Sequence, residues 1–139
     1  DRAGEVDARS RLGRVELRLG RHEQAAAHLE RALAVSREDG YPDAESELLN
    51  ILGELSLAEG RPEFALAQHA AARDLAEQLA NDYELANAHR GLARAHAALG
   101  EAARAQDHRR EALALYTRLG VPEAGQSAAG PAKGSDSEA

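Results

Sequence analysis

The sequence predicts an all-α fold of three antiparallel helix pairs stacked side by side. Two observations predict it. Three glycine marks recur 40 residues apart, at Leu19-Gly20-Arg21, Glu59-Gly60-Arg61 and Leu99-Gly100-Glu101. A second mark lies seven or eight residues before each, at Leu12-Gly13, Leu52-Gly53 and Leu92-Ala93. A fixed period of this size means one helical unit copied and stacked, so each copy buries its apolar face against the next.

Taken in order, the helices are expected near 5–19, 22–38, 43–59, 62–79, 83–99 and 102–119. Gly20, Gly60 and Gly100 fit the left-handed position just past a helix end and close the first helix of each pair. Pro62 falls at the first helical position, where its missing N–H is no loss. Gly40 closes one second helix, and Pro42-Asp43 opens the next first helix. Apolar spacing such as Leu48/Leu52/Leu55 or Leu75/Leu79 is helical, and nowhere is there the alternation of a strand.

Small residues recur in columns: Gly13/Gly53/Ala93, Ala25/Ala65/Ala105 and Ala32/Ala72/Ala112. Where paired helices cross, only a residue without a long side chain lets the backbones approach. Leu12/Leu52/Leu92 forms the matching apolar column. Hydrophobic residues make up 43% of the chain but aromatics only 3%, so stability has to come from close helix contact rather than large buried side chains.

These columns resemble the tetratricopeptide repeat: Leu-Gly or Leu-Ala in the first helix, a turn glycine, then two alanines in the second. The resemblance covers about Val6 to Gly120 and implies a right-handed superhelix with repeats near 6–45, 46–85 and 86–120. The family's aromatic places hold Glu16, Ser56 and His96 in the first helices and Leu29, His69 and Arg109 in the second. The 40-residue period exceeds the family's usual 34 or so by about six residues, which lengthen the helices. Repeats this long resemble those of bacterial regulators and polarity-type scaffolds.

The segment from Glu111 to Ala124 is similar to the C-terminal end of SARP-type and large LuxR-like transcriptional regulators of actinobacteria. That resemblance implies a non-catalytic sensing module, in the cytoplasm, at the end of a regulator whose DNA-binding and NTPase parts lie elsewhere. With no Met and with Asp1 first, the chain reads as a C-terminal fragment. Residues 121–139 are rich in Gly, Ala, Ser and Pro, and are expected to form a disordered tail after an aborted fourth repeat. The final helix would then lack a capping neighbour, an edge at which a homodimer can form.

The net charge of −7 argues against a general nucleic-acid or anionic-membrane surface. No cysteine is present, so disulfide and thiol chemistry are excluded and a reducing compartment suits the chain. No apolar run approaches the roughly 18 residues of a membrane span. No phosphate loop, nucleophile elbow or zinc motif occurs, and no cofactor is implied. His89 and His96 stand two turns apart and His108 three residues before Glu111, a spacing read as ordinary helix surface or packing.

In tetratricopeptide stacks the first helices line a concave face. Carried onto this chain, the lining places are Asp7, Ser10, Arg14 and Arg18; Glu47, Asn50, Glu54 and Ala58; Asn87, Arg90, Arg94 and Ala98. From these, Arg14, Arg18, Asn50, Glu54, Asn87, Arg90 and Arg94 are the candidate partner-binding residues. The series Arg14, Glu54, Arg94 across adjacent helices reads either as an inter-repeat salt-bridge ladder or as part of a clamp for a carboxylate or an acidic or extended peptide, and both can hold together. The carboxylate-gripping pattern of chaperone adaptors is not matched, since its sites hold Ser10, Arg14, Ile51, Asn87 and Gly91.

Overall fold

A computed structural model describes residues 2–122, and within them the chain forms six α-helices and no strand. They are α1 (Ala3–Arg18), α2 (His22–Asp39), α3 (Pro42–Ala58), α4 (Pro62–Leu79), α5 (Asp82–Ala98) and α6 (Ala102–Leu119). All six expected helices are found, with ends displaced by at most two residues. The expected disorder of the tail and most of the aborted fourth repeat fall on residues 123–139, outside those described; Val121 and Pro122 are exposed and non-helical.

The helices end alike for a local reason. After α3, Gly60 takes a φ of +76°, and the Arg61 N–H reaches back to the Ser56 carbonyl at 2.8 Å. The turns at Gly20 and Gly100 repeat this closure, with Arg21 N–H to Glu16 O at 2.8 Å and Glu101 N–H to His96 O at 2.9 Å. Each satisfies helix-end carbonyls that would otherwise lack a partner. At the end of α4 the same left-handed place holds Ala80, at φ +54°, where α2 and α6 have Gly40 and Gly120. Pro42 and Pro62 both sit at the first turn of their helices.

Every helix packs on the next, and α3 also touches α1 and α5. The result is an all-α architecture of repeated helices. The alanine columns lie inside it: Ala25, Ala32, Ala65 and Ala72 are fully buried, and Ala105 and Ala112 nearly so. Gly13 is needed for close approach, because a Cβ there would stand 2.5 Å from Leu29 Cδ2. The largest apolar cluster joins α2 to α3 through Leu29, Val35, Leu48, Ile51, Leu52 and Leu55.

The leucine column departs from expectation at its first member. Leu52 and Leu92 are buried, but Leu12 is 48% exposed. α3 and α5 each pack against the second helix of the preceding pair; among the described residues, α1 has none before it.

Candidate binding groove

Between α1, α3 and α5 lies a concave pocket of about 410 Å³. Leu17, Leu57 and Ala58 supply its apolar lining, and Glu54, Asn87, Arg90 and Arg94 its polar lining. His69 of α4 reaches it from below.

His69 occupies that place because two glycines admit it. A Cβ at Gly53 would stand 2.4 Å from His69 Nε2, and one at Gly91 would stand 2.2 Å from its Cε1. The imidazole is therefore clasped between α3 and α5 with 1% of its surface exposed. Its Nδ1 lies 2.9 Å from Asn50 Oδ1. Asn50 gives its amide hydrogens to the Glu84 main-chain oxygen at 3.1 Å and to Glu84 Oε1 at 3.0 Å. Its oxygen is left to accept, which assigns the imidazole proton to Nδ1.

The network runs on to α6. Asn87 Nδ2 donates to Glu84 Oε1 at 3.3 Å, and the Tyr116 hydroxyl donates to Asn87 Oδ1. Burial, and then the nearby charges of Arg90 and Arg94, push the His69 pKa down to about 4, so the ring is neutral near pH 7. Burial raises the Glu84 carboxyl above its ordinary value, against the opposing pull of its hydrogen bonds from Asn50 and Asn87.

The seven candidate residues divide. Glu54, Asn87, Arg90 and Arg94 meet in the pocket. Arg14 faces Glu47 at 2.7 Å, half-buried beside it. Arg18 is exposed and makes no ion pair among the described residues. Asn50, expected on the groove surface, is 3% exposed and committed to Glu84 and His69 beneath it. The Arg14–Glu54–Arg94 ladder also differs from expectation: Arg14 takes Glu47, Glu54 lies 3.6 Å from Arg90, and exposed Arg94 has no ion-pair partner among the described residues. Along α5 the partner of Glu54 is thus one helical turn earlier than the ninth place implies.

Arg90 is the most constrained of the cations. Its side chain is 16% exposed, and its Nε is shut off from solvent with no hydrogen-bond partner. Two guanidinium groups thus face a single carboxylate, Glu54, in a pocket whose imidazole is neutral. The pocket is locally electropositive on a chain of net charge −7.

Sequence reasoning missed His69, Glu84 and Tyr116 as parts of this site. A signal existed for the first: His69 shares a column with Leu29, and a histidine at a buried apolar place requires a polar partner. Gly91 was the second clue, a glycine outside the small-residue columns.

A separate group joins α5 to α6. His89 Nδ1 and His108 Nδ1 are 3.0 Å apart, and the His96 ring stacks on His108 with centroids 5.4 Å apart. His96 Nδ1 also lies 2.7 Å from Glu101 Oε1. The spacing of His89 and His96 placed those two on one face; their union with His108 comes from the packing of α6. No three His, Cys, Asp or Glu side chains among the described residues are grouped as metal ligands, and none of the described helices is long and apolar enough to cross a membrane.

Neither a scan against protein-family models nor a search of curated proteins found a match to this chain.

Proposed function

We propose that this chain is a non-catalytic interaction module of the tetratricopeptide type, its three helix pairs wound in a right-handed superhelix, which binds an acidic or extended peptide in the pocket between α1, α3 and α5. The carrying observation is the unpaired Arg94 beside Arg90, whose Nε–H is buried without a partner, in a pocket that is also lined by Leu17, Leu57 and Ala58. A carboxylate accepts from guanidinium N–H groups in two-pronged fashion, and the Leu17 and Leu57 lining suits a neighbouring apolar side chain.

The wider setting rests on the resemblance of the Glu111–Ala124 segment. In this reading the domain ends a cytoplasmic bacterial transcription regulator, senses a protein partner or effector through the groove, and passes that state to DNA-binding and NTPase parts. It contacts no nucleic acid itself. An autonomous adaptor would use the same groove, and is distinguished by acting without those other parts.

Fluorescence anisotropy with labelled acidic peptides tests the binding reading. Binding is expected to weaken at least about tenfold in Arg94→Ala and as salt rises through the physiological range. Peptide affinity that is absent, or indifferent to Arg94→Ala, defeats it.

A further inference from the structure

The charges that line the groove do not balance. Arg90 and Arg94 are set against Glu54 alone, since the His69 imidazole is neutral and Asn87 carries no charge. Arg14 lies within electrostatic reach of Glu54 and Glu84, but it is already paired with Glu47 at 2.7 Å. Glu84 is buried beneath with Asn50 and His69, where any charge it keeps adds to that of Glu54. The groove thus has a single positive charge left to neutralise.

Glu54 sets that limit without using up the donors. Its Oε2 stands 3.6 Å from Arg90 Nη2, close enough to offset charge but too far for a hydrogen bond. Arg90 Nε–H is buried with no partner, and exposed Arg94 has no ion pair among the described residues. One turn apart on α5, the two arginines share a helix face. An oxyanion within reach of both therefore comes to rest near Glu54.

The two common oxyanions of peptides differ in such a place. A carboxylate brings one negative charge and leaves the groove neutral. A phosphoserine brings roughly −1.5 to −2 at pH 7, and leaves negative charge in excess beside Glu54. Shedding water to meet like charge in a half-buried site is unfavourable, and a repulsion of this kind separates ligands that are otherwise similar. Without Glu54 the same two arginines would suit a phosphate well.

We infer that the groove takes a singly charged carboxylate, the side chain of a Glu or Asp in an extended peptide, and refuses a phosphorylated residue, with Glu54 making the distinction. The inference rests on peptide binding in this groove and adds the charge that the ligand must carry.

Four labelled peptides test it, alike except at one anchor residue placed before a leucine: glutamate, serine O-sulfate, phosphoserine or glutamine. Serine O-sulfate has the shape of phosphoserine with a single charge, so it separates charge from size. With the full chain near pH 7, the phosphoserine and glutamine peptides are each expected to bind at least about tenfold more weakly than the glutamate and sulfate peptides. In Glu54→Gln the phosphoserine peptide is expected to overtake the sulfate one, while circular dichroism reports that the helices remain. Phosphoserine binding as tight as sulfate in the parent, or a ratio of the two unmoved by Glu54→Gln, overturns the inference and leaves peptide binding in the groove standing. A glutamate peptide that does not bind, or that is indifferent to Arg94→Ala, overturns both.

Discussion

Asn50 Oδ1 and His69 Nδ1 lie 2.9 Å apart in the interior, tying α3 to α4 directly under the groove. Through Glu84, Asn87 and Tyr116 the same chain of hydrogen bonds reaches α5 and α6. A buried polar network of this kind is stabilising only when every member is satisfied, and that requirement makes it sensitive to pH and to substitution.

The pH dependence follows from His69. Its pKa falls from an ordinary 6.5 to about 4 on folding, so between these values the unfolded chain binds more protons than the folded one. Stability is therefore full above about pH 6.5 and is lost as pH falls towards 4, by on the order of 3 kcal/mol. Glu84 acts in the opposite sense: its raised folded pKa means its contribution is full below its ordinary value and is lost as pH rises through the folded one. Urea unfolding at intervals from pH 4 to 7.5 is expected to show a steeper rise in Glu84→Gln than in the parent, and a flatter one in His69→Leu.

The glycine clasp predicts a steric penalty. Gly53→Ala and Gly91→Ala each drive a methyl group to within 2.4 Å of an imidazole that has little room to move. Each is expected to cost about 1–3 kcal/mol of folding stability. Because both act on one ring, their costs are non-additive in the double variant, and His69→Ala reduces the cost of either. Denaturant midpoints of the singles and doubles check this.

Ala80 offers a gain. It holds a left-handed conformation, φ +54°, that its side chain disfavours, at the place where α2 and α6 have glycine. Ala80→Gly is expected to stabilise the fold by about 1 kcal/mol, read as a rise in thermal midpoint.

Two polar residues of the predicted set should respond very differently. Arg14 and Glu47 pair with side chains more than a third exposed, so Arg14→Met costs less than about 1 kcal/mol. Asn50→Leu leaves the His69 Nδ1–H and the Glu84 main-chain oxygen without their buried partner, and is expected to cost about 2–4 kcal/mol. Comparable losses for the two in chemical denaturation would contradict the assignment of Asn50 to the interior.

Helix boundaries were legible because they are local. Gly20, Gly60 and Pro62 act through their own backbone torsions and missing N–H, whatever packs around them. The buried alanine columns were legible because repetition shows which places tolerate no bulk. Asn50 was misjudged for the opposite reason: its spacing from Glu54 places both on one broad helix face, but how deep each lies depends on whether α4 and α5 cover it. The column shared with Leu29 marked His69 as a histidine at an apolar place, but its seat under the groove depends on Gly53, 16 residues away, and Gly91, 22 away.

What the amino-acid order determined alone was the set of helices, their punctuation and the small residues that let them approach, since each of these depends on torsion or volume within a few positions. What only the tertiary structure decided was which polar groups share a dry interior. Arg14 pairs with Glu47, Arg94 stays unpaired, three histidines stack and Leu12 stays open. These outcomes depend on distances of a few ångströms between helices remote in sequence, where hydrogen bonds and ion pairs are made or lost.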